Sequence, residues 1–322
     1  MTKLDKAFLD AASKGHIGKL KKMLDAGANV NVPDSRGAPR NRTALMHAAE
    51  KGHLKAVDLL LNAGANIDDR DKGAPFDPGG NTALLLAIRG EHTDVAHRLL
   101  DAGASPKTKG GETSVITAAA HLGNLALFRR LASLGAHLTE VDGSGITPIS
   151  AAVQARNIGI VEFLLSKGVS PDSLSPGRRP VLVDAAFGGR KGLKICKALV
   201  EAGADPDAGS EENFTPLMAA CRSGRLEMVR YFLSLAVRIN EIENKWKRTA
   251  LDIVLGMEKP PDFAPDVLRR LKKLGQYMGP PLARMKEIER CLREAGAKTR
   301  AELRKRVTSR ATGSRRTSPS SE

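Results

Sequence analysis

The chain repeats itself. Seven ten-residue segments, at residues 6–15, 43–52, 82–91, 114–123, 147–156, 180–189 and 215–224, align with one another, and an eighth, degenerate copy starts at Thr249. Successive copies begin roughly 33 residues apart, the spacing of a stack of small helical units rather than of globular domains. The copy Thr215-Pro216-Leu217-Met218-Ala219-Ala220-Cys221-Arg222-Ser223-Gly224 shows the pattern most fully. No unit of this size can bury its own apolar face, so each must lean on its neighbours. The 322 residues are therefore expected to form one elongated domain, with function biased toward binding rather than chemistry. Aromatic residues make up only 3% of the chain, so the core must come from Leu, Ala, Val and Ile, which suit close helix stacking.

Residues 215–240 illustrate one unit. Leu217, Ala219, Ala220 and Cys221 give a short helix of small residues that Gly224 ends. A second helix over residues 226–235 places Leu226, Val229, Phe232 and Leu233 on one face, with Glu227 and Arg230 directed outward. The motifs Asp25-Ala26-Gly27-Ala28, Asn62-Ala63-Gly64-Ala65, Asp101-Ala102-Gly103-Ala104 and Glu201-Ala202-Gly203-Ala204 each follow a Leu-rich helix. Glycine is the residue that takes the left-handed conformation closing such a helix. The Thr that opens most copies suits a helix cap, and Pro148 and Pro216 follow it where a missing N–H costs nothing.

With these motifs in view, the chain resembles ankyrin-repeat proteins. The matching residues are Thr147-Pro148-Ile149 with Ala151-Ala152, Thr215-Pro216-Leu217 with Ala219-Ala220, Ala48-Ala49 before Gly52-His53, and the Leu-Leu-x-x-Gly-Ala ends at residues 60–65 and 99–104. The resemblance runs from about residue 5 to about residue 299. It implies an all-α solenoid of about eight helix-turn-helix repeats with short β-hairpin finger loops, starting near residues 5, 34, 69, 110, 142, 176, 211 and 244. Residues 1–299 are then the ankyrin-repeat domain and residues 300–322 a basic, disordered tail. The resemblance also implies recognition of another protein, without catalysis, on a concave face of fingers and inner helices.

Several copies depart from the pattern. Finger insertions precede Thr43 (Ala38-Pro39-Arg40-Asn41) and Thr82 (residues 73–79), and in repeat proteins such insertions fall on one face, often the binding face. The copy at Pro180 lacks the Thr and carries an insertion near Arg190-Lys191-Gly192. After Thr249, Lys259-Pro260-Pro261-Asp262 breaks the pattern. Val267, Leu268, Leu271 and Leu274 then mark one helix, and Met285, Ile288, Leu292 and Ala295 another. Because Arg293-Glu294-Ala295-Gly296-Ala297 has the closing pattern, the last helix reads as the outer helix of the eighth repeat.

The formal charge of +15 is unevenly spread. Residues 1–268 hold 35 Lys/Arg against 31 Asp/Glu, net +4, and residues 269–322 hold 16 against 5, net +11. Three scattered cysteines, Cys196, Cys221 and Cys291, argue against a disulfide framework or a paired-cysteine metal site. The charged start Met1-Thr2-Lys3-Leu4-Asp5 is unlike a signal peptide, and no uncharged stretch reaches the ~18 residues of a membrane-spanning helix. A monomeric, cytoplasmic protein with no membrane contact is expected.

No HExxH, CxxC or phosphate-cradling Gly-rich loop occurs, so no enzyme, metal or cofactor is expected. His16, His53 and His92 recur at one slot, which points to a structural hydrogen-bonding role. The functional signal lies instead where the copies differ, in the finger before each Thr and at the end of each inner helix. Arg36, Arg42, Lys51 and Arg89 stand there in the early copies, and Arg179, Phe187, Phe214, Arg222, Lys245, Trp246 and Arg248 in the later ones. Arg and aromatic residues are the usual anchors of interfaces. These eleven residues are the expected partner-binding set, and an acidic or acidic-aromatic peptide is the expected partner of the later group. Two alternatives stand beside this scaffold: a nucleic-acid-associated protein using the basic tail, and an ankyrin-type inhibitor of a specific enzyme.

Overall fold

The computed structural model describes residues 1–36, 41–74, 77–258 and 282–304. They fall into two compact units, Met1–Val169 and a second that begins at Ser170. The first unit stacks five helix pairs: α1 (Lys3–Ser13) with α2 (Ile17–Asp25), α3 (Ala44–Glu50) with α4 (Leu54–Asn62), α5 (Ala83–Arg89) with α6 (Thr93–Asp101), α7 (Val115–Leu122) with α8 (Leu125–Ser133), and α9 (Pro148–Gln154) with α10 (Ile158–Ser166). The second holds α11 (Val181–Ala186) with α12 (Gly189–Glu201), α13 (Pro216–Arg222) with α14 (Leu226–Ser234), and α15 (Ala250–Glu258) with α16 (Leu282–Glu294). Within each unit first helices pack on first helices and second on second. Each unit is an all-α stack of helix pairs, the fold class that the resemblance implies. Its loops add a hairpin of β1 (Lys72–Ala74) with β2 (Asp77–Gly79) and another of β3 (Leu174–Ser175) with β4 (Arg179–Pro180), both antiparallel.

Small side chains set the spacing. Ala48, Ala49, Ala87, Ala119, Ala120, Ala151, Ala152, Ala219 and Ala220 are fully buried, so the first helices approach closely and the larger Leu, Val and Phe side chains fill the space toward the second helices. Phe8, Phe128 and Phe232 are among the largest fully buried side chains. A seven-residue helix is too short to persist alone, and tertiary packing must hold it.

The helix starts follow the sequence pattern. Thr43, Thr82, Ser114, Thr147 and Thr215 are N-caps, each accepting a hydrogen bond from a backbone N–H of the first turn. Each such cap is worth about 1 kcal/mol. Pro148 and Pro216 sit in the first turn, as expected. Pro180 caps α11 without any side-chain bond.

The joints between pairs carry the histidines. His53 Nε2–H donates to the Ser13 carbonyl at 3.1 Å, and His92 Nε2–H donates to the Glu50 carbonyl at 3.0 Å. A carbonyl only accepts, so the proton must be on Nε2. Each ring lies on the glycine that ends the preceding first helix: a Cβ added to Gly15 would stand 2.7 Å from the His53 ring, and one on Gly52 would run into His92. Asn157, at the same slot, donates from Nδ2 to the Gly123 carbonyl.

Two local features refine the sequence pattern. The insertion at residues 190–192 lengthens α12 to 13 residues, where the second helices α2, α4, α6, α8, α10 and α14 have 9. Gly192 permits it, because a Cβ there would collide with the Ala185 carbonyl. At the other end of the unit, Asn240 Nδ2 donates to the Gly296 carbonyl (3.3 Å) and Asn240 Oδ1 accepts from Lys298 N (2.7 Å). The same two bonds join Asn31 to Gly64 and Asn66 at 3.3 and 2.8 Å. The second-helix position beside α15 is therefore filled by α16. The helix expected from Val267, Leu268, Leu271 and Leu274, the insertion residues 38–40 and 75–76, and the tail beyond residue 304 lie outside the described residues.

The second helices end on left-handed glycines, from Gly168 (φ 78°) to Gly203 (φ 97°), except that α14 ends on Ala236 at φ 55°. Replacing Ala236→Gly is expected to raise stability by about 0.5–1 kcal/mol, and Gly52→Ala to lower it by about 1–3 kcal/mol through its φ of 72° and the His92 ring. Urea denaturation of the two variants checks both signs.

Candidate functional site

Six of the eleven sequence-predicted residues border one cleft of about 440 Å3 in the second unit: Arg179, Phe187, Phe214, Arg222, Lys245 and Trp246. Three consecutive helix pairs contribute. Arg179 stands on β4, Phe187 ends α11, Phe214 precedes the Thr215 cap, Arg222 ends α13, and Lys245 and Trp246 lie in the loop before α15. Two hydrogen bonds lock the loops together: Asn244 N donates to the Glu212 carbonyl at 2.6 Å, and the Asn213 side-chain Nδ2 donates to the Ile242 carbonyl at 3.0 Å. The aromatic groups thus stand on a fixed support.

The cleft offers flat apolar faces. The Phe187 and Phe214 rings stack with centroids 6.2 Å apart and planes 7° from parallel. The Arg222 guanidinium stands 6.0 Å from the Phe214 centroid. Trp246 is 63% exposed, with Lys245 Nζ 5.7 Å and Arg248 Cζ 5.9 Å from its ring. Cations held against aromatic faces contribute roughly 0.5–1 kcal/mol each at exposed sites and pre-set both partners. Arg248 borders another recess that also includes Trp246, with Lys247, Asp252 and Arg300.

The charges in the cleft balance. Arg179, Arg222 and Lys245 line it together with Glu211, Glu212 and Glu243. Arg179 pairs with Asp184, Lys245 lies 3.9 Å from Glu212, and Arg248 Nε donates to Glu243 Oε1 at 2.9 Å. Glu243 is 2% exposed, so Arg248 neutralises a buried carboxylate. Among the described residues Arg222 has no carboxylate partner, and its donors remain available. None of these glutamates is among the sequence-predicted site residues. The acidic pair Glu211-Glu212 directly before the Phe214 finger and the Glu243-to-Arg248 spacing were the available signals.

The four early residues belong to the first unit and have different surroundings. Arg36 pairs with Asp10 (2.7 Å) and, by two bonds, with Asp34 (2.9 and 3.0 Å). Arg42 bonds Glu50 at 2.9 Å and Asp71 at 3.2 Å, the latter joining consecutive loops. Arg89 donates to Asn81 Oδ1 at 3.2 Å and shares a recess with His121, whose Nε2 lies 3.3 Å from Gln154 Oε1. Lys51 is exposed at the end of α3.

The reactive side chains are placed structurally. Cys196 and Cys221 are buried free thiols, and burial pushes both well above the ordinary thiol range. Burial likewise holds the His47 imidazole below its usual value, opposed by the nearby Asp34 carboxylate. Among the described residues no group of three or more His, Cys, Asp or Glu side chains is placed to hold a metal, and no helix is long and apolar enough to cross a membrane.

Stacked pairs with Thr caps, buried alanine pairs, left-handed closing glycines and His-on-Gly joints define a helical repeat protein. The family described as ankyrin repeats (3 copies) matches residues 8–110 and 182–259, and ankyrin repeats (many copies) matches residues 116–165. The chain belongs to the ankyrin-repeat family. Ankyrin repeats in general are scaffolds for protein–protein interaction. Similar proteins include two ankyrin repeat and KH domain-containing proteins. The one of Caenorhabditis briggsae is 33% identical over 51% of this chain and 6% of its own length. The other, mask-1 of Caenorhabditis elegans, is 27% identical over 67% and 8%. The human SH3 and multiple ankyrin repeat domains protein 2 is 29% identical over 48% of this chain and 8% of its own. The chain thus spans under a tenth of these relatives.

The Asp34–Arg36 pair gives an acid-limb prediction. The Arg36 hydrogen bonds hold the Asp34 carboxyl, 13% exposed, down at about 2 against an ordinary 3.8. Its stabilisation is complete above about pH 4 and is lost as pH falls toward 2. Arg36→Gln is expected to cost about 1–2 kcal/mol at neutral pH, with the gap to wild type closing in acid. Urea titrations at pH 7 and pH 2.5 or so measure both ends.

Proposed function

We propose that the cleft bordered by Phe187, Phe214, Arg222 and Trp246 binds an extended segment of a partner protein, one that presents an aromatic or large apolar side chain beside a carboxylate. The observation that carries this is the aromatic platform itself: two stacked rings, a guanidinium without a carboxylate partner against one of them and an exposed indole, all lining one space. Such rigid, amphipathic groups supply contact area at small entropic cost, and a scaffold of stacked helices loses little freedom on binding.

The carboxylate requirement rests on Arg222. The other cations of the cleft already pair within the chain, so long-range steering of an acidic partner contributes little and local complementarity contributes most. Lys51 and Arg89 remain candidate contacts of the first unit. Arg36 and Arg42 are excluded from the proposed contact set, because Asp10, Asp34, Glu50 and Asp71 already occupy their donors.

A random peptide library displayed on phage, selected against the full chain, tests the proposal. The recovered peptides are expected to share an aromatic residue next to Asp or Glu. Trp246→Ala and Arg222→Ala should each weaken their binding about tenfold or more, about 1.4 kcal/mol, with the melting temperature unchanged because both side chains are exposed. Affinities that survive both substitutions would sink it.

A further inference from the structure

A second recess in the same unit, of about 310 Å3, lies where the turns into α12 and α14 meet the start of α16. Its walls carry Arg190 from the first turn of α12, Arg225 from the residue before α14, and Arg284 from the first turn of α16, together with Leu193, Met228 and a single carboxylate, Glu227. Three arginines from three separate elements thus border one small space.

These arginines differ from their neighbours. Arg179, Arg230, Arg238 and Arg248 of the same unit each pair with a carboxylate. Among the described residues Arg190, Arg225 and Arg284 have no such partner. Arg225 also stands at the joint slot that His53, His92 and Asn157 fill elsewhere, where those side chains donate to a carbonyl of the preceding pair. Here the guanidinium lies over Gly189 instead, its Cζ 3.5 Å from where a Cβ would be, and among the described residues it makes no bond to a carbonyl of the preceding pair. The arginine donors are left over. The α12 extension, absent from the nine-residue second helices, is what brings Arg190 to the recess.

Unpaired like charges in one recess repel each other, and a bound anion removes that cost. Three arginines less one glutamate leave the recess at net +2, which matches the −1.5 to −2 or so of a phosphomonoester near pH 7. Guanidinium forks also suit its several oxygens by paired, charge-assisted hydrogen bonds. We propose that Arg190, Arg225 and Arg284 form a phosphomonoester-binding site, with Leu193 and Met228 as its apolar wall.

NMR of the arginine Nε–H groups of the full chain tests this, at constant ionic strength made up with chloride. The probes are inorganic phosphate, a short phosphoserine peptide and its unphosphorylated twin. Phosphate and the phosphopeptide are expected to give saturable shifts at these arginines, and the unphosphorylated peptide none. Arg225→Gln and Arg284→Gln, both at exposed side chains, should each weaken binding about tenfold, whereas Arg230→Gln, at an arginine already paired with Glu287, should leave it unchanged. Phosphopeptide binding much tighter than phosphate would place the group on a partner protein, and equal binding would point to a free phosphorylated molecule. Absence of saturable shifts with every probe, or binding unaltered in both variants, would overturn the proposal.

Discussion

The contact between one short helix and the next, made through fully buried alanines, is what the rest of this structure depends on. Helices of seven residues are too short to persist alone, so their order comes from neighbours. Alanine makes that possible, because it brings backbones close and surrenders no side-chain entropy. The joints then fix the stagger. A ring laid over a glycine and bonded to a carbonyl of the preceding pair, as with His53 and His92, ties pairs together by both shape and hydrogen bonding.

With the backbone held this way, the positions that do not pack are free to differ, and the two units use them differently. In the first, Arg36 and Arg42 reach carboxylates on neighbouring pairs and become part of the support. In the second, Phe187, Phe214, Arg222 and Trp246 line a shared space, and Arg225 does not make the joint bond that His53, His92 and Asn157 make. On the proposed reading, the same residue type serves stability where a carboxylate lies within reach and recognition where none does.

That distinction also separates what was legible in the sequence from what was not. Thr215, Gly64 and the alanine pairs announce themselves because their roles are local: a cap, a left-handed turn and a close approach are each set within a few residues. The arginines are not local. The partners of Arg36 and Arg42 include Asp10 and Asp71, 26 and 29 residues away, and no spacing rule joins them. Phe187 and Phe214 stood out by type and slot, but their parallel stacking and the glutamates around them depend on how three loops meet. The insertion at residues 190–192 was visible, whereas its absorption as an extra turn of α12 follows from Gly192 fitting against the Ala185 carbonyl.

Trp246 is the chain's single tryptophan, so its fluorescence reports on one point of the cleft and nowhere else. In the free protein it should emit like a water-exposed indole and be quenched freely by acrylamide, as its 63% exposure requires. The most direct test of the recognition account is this signal with a cleft-selected peptide at saturation. A blue shift with strong protection from acrylamide is the predicted result, and an emission and quenching constant identical to those of the free protein would contradict the account.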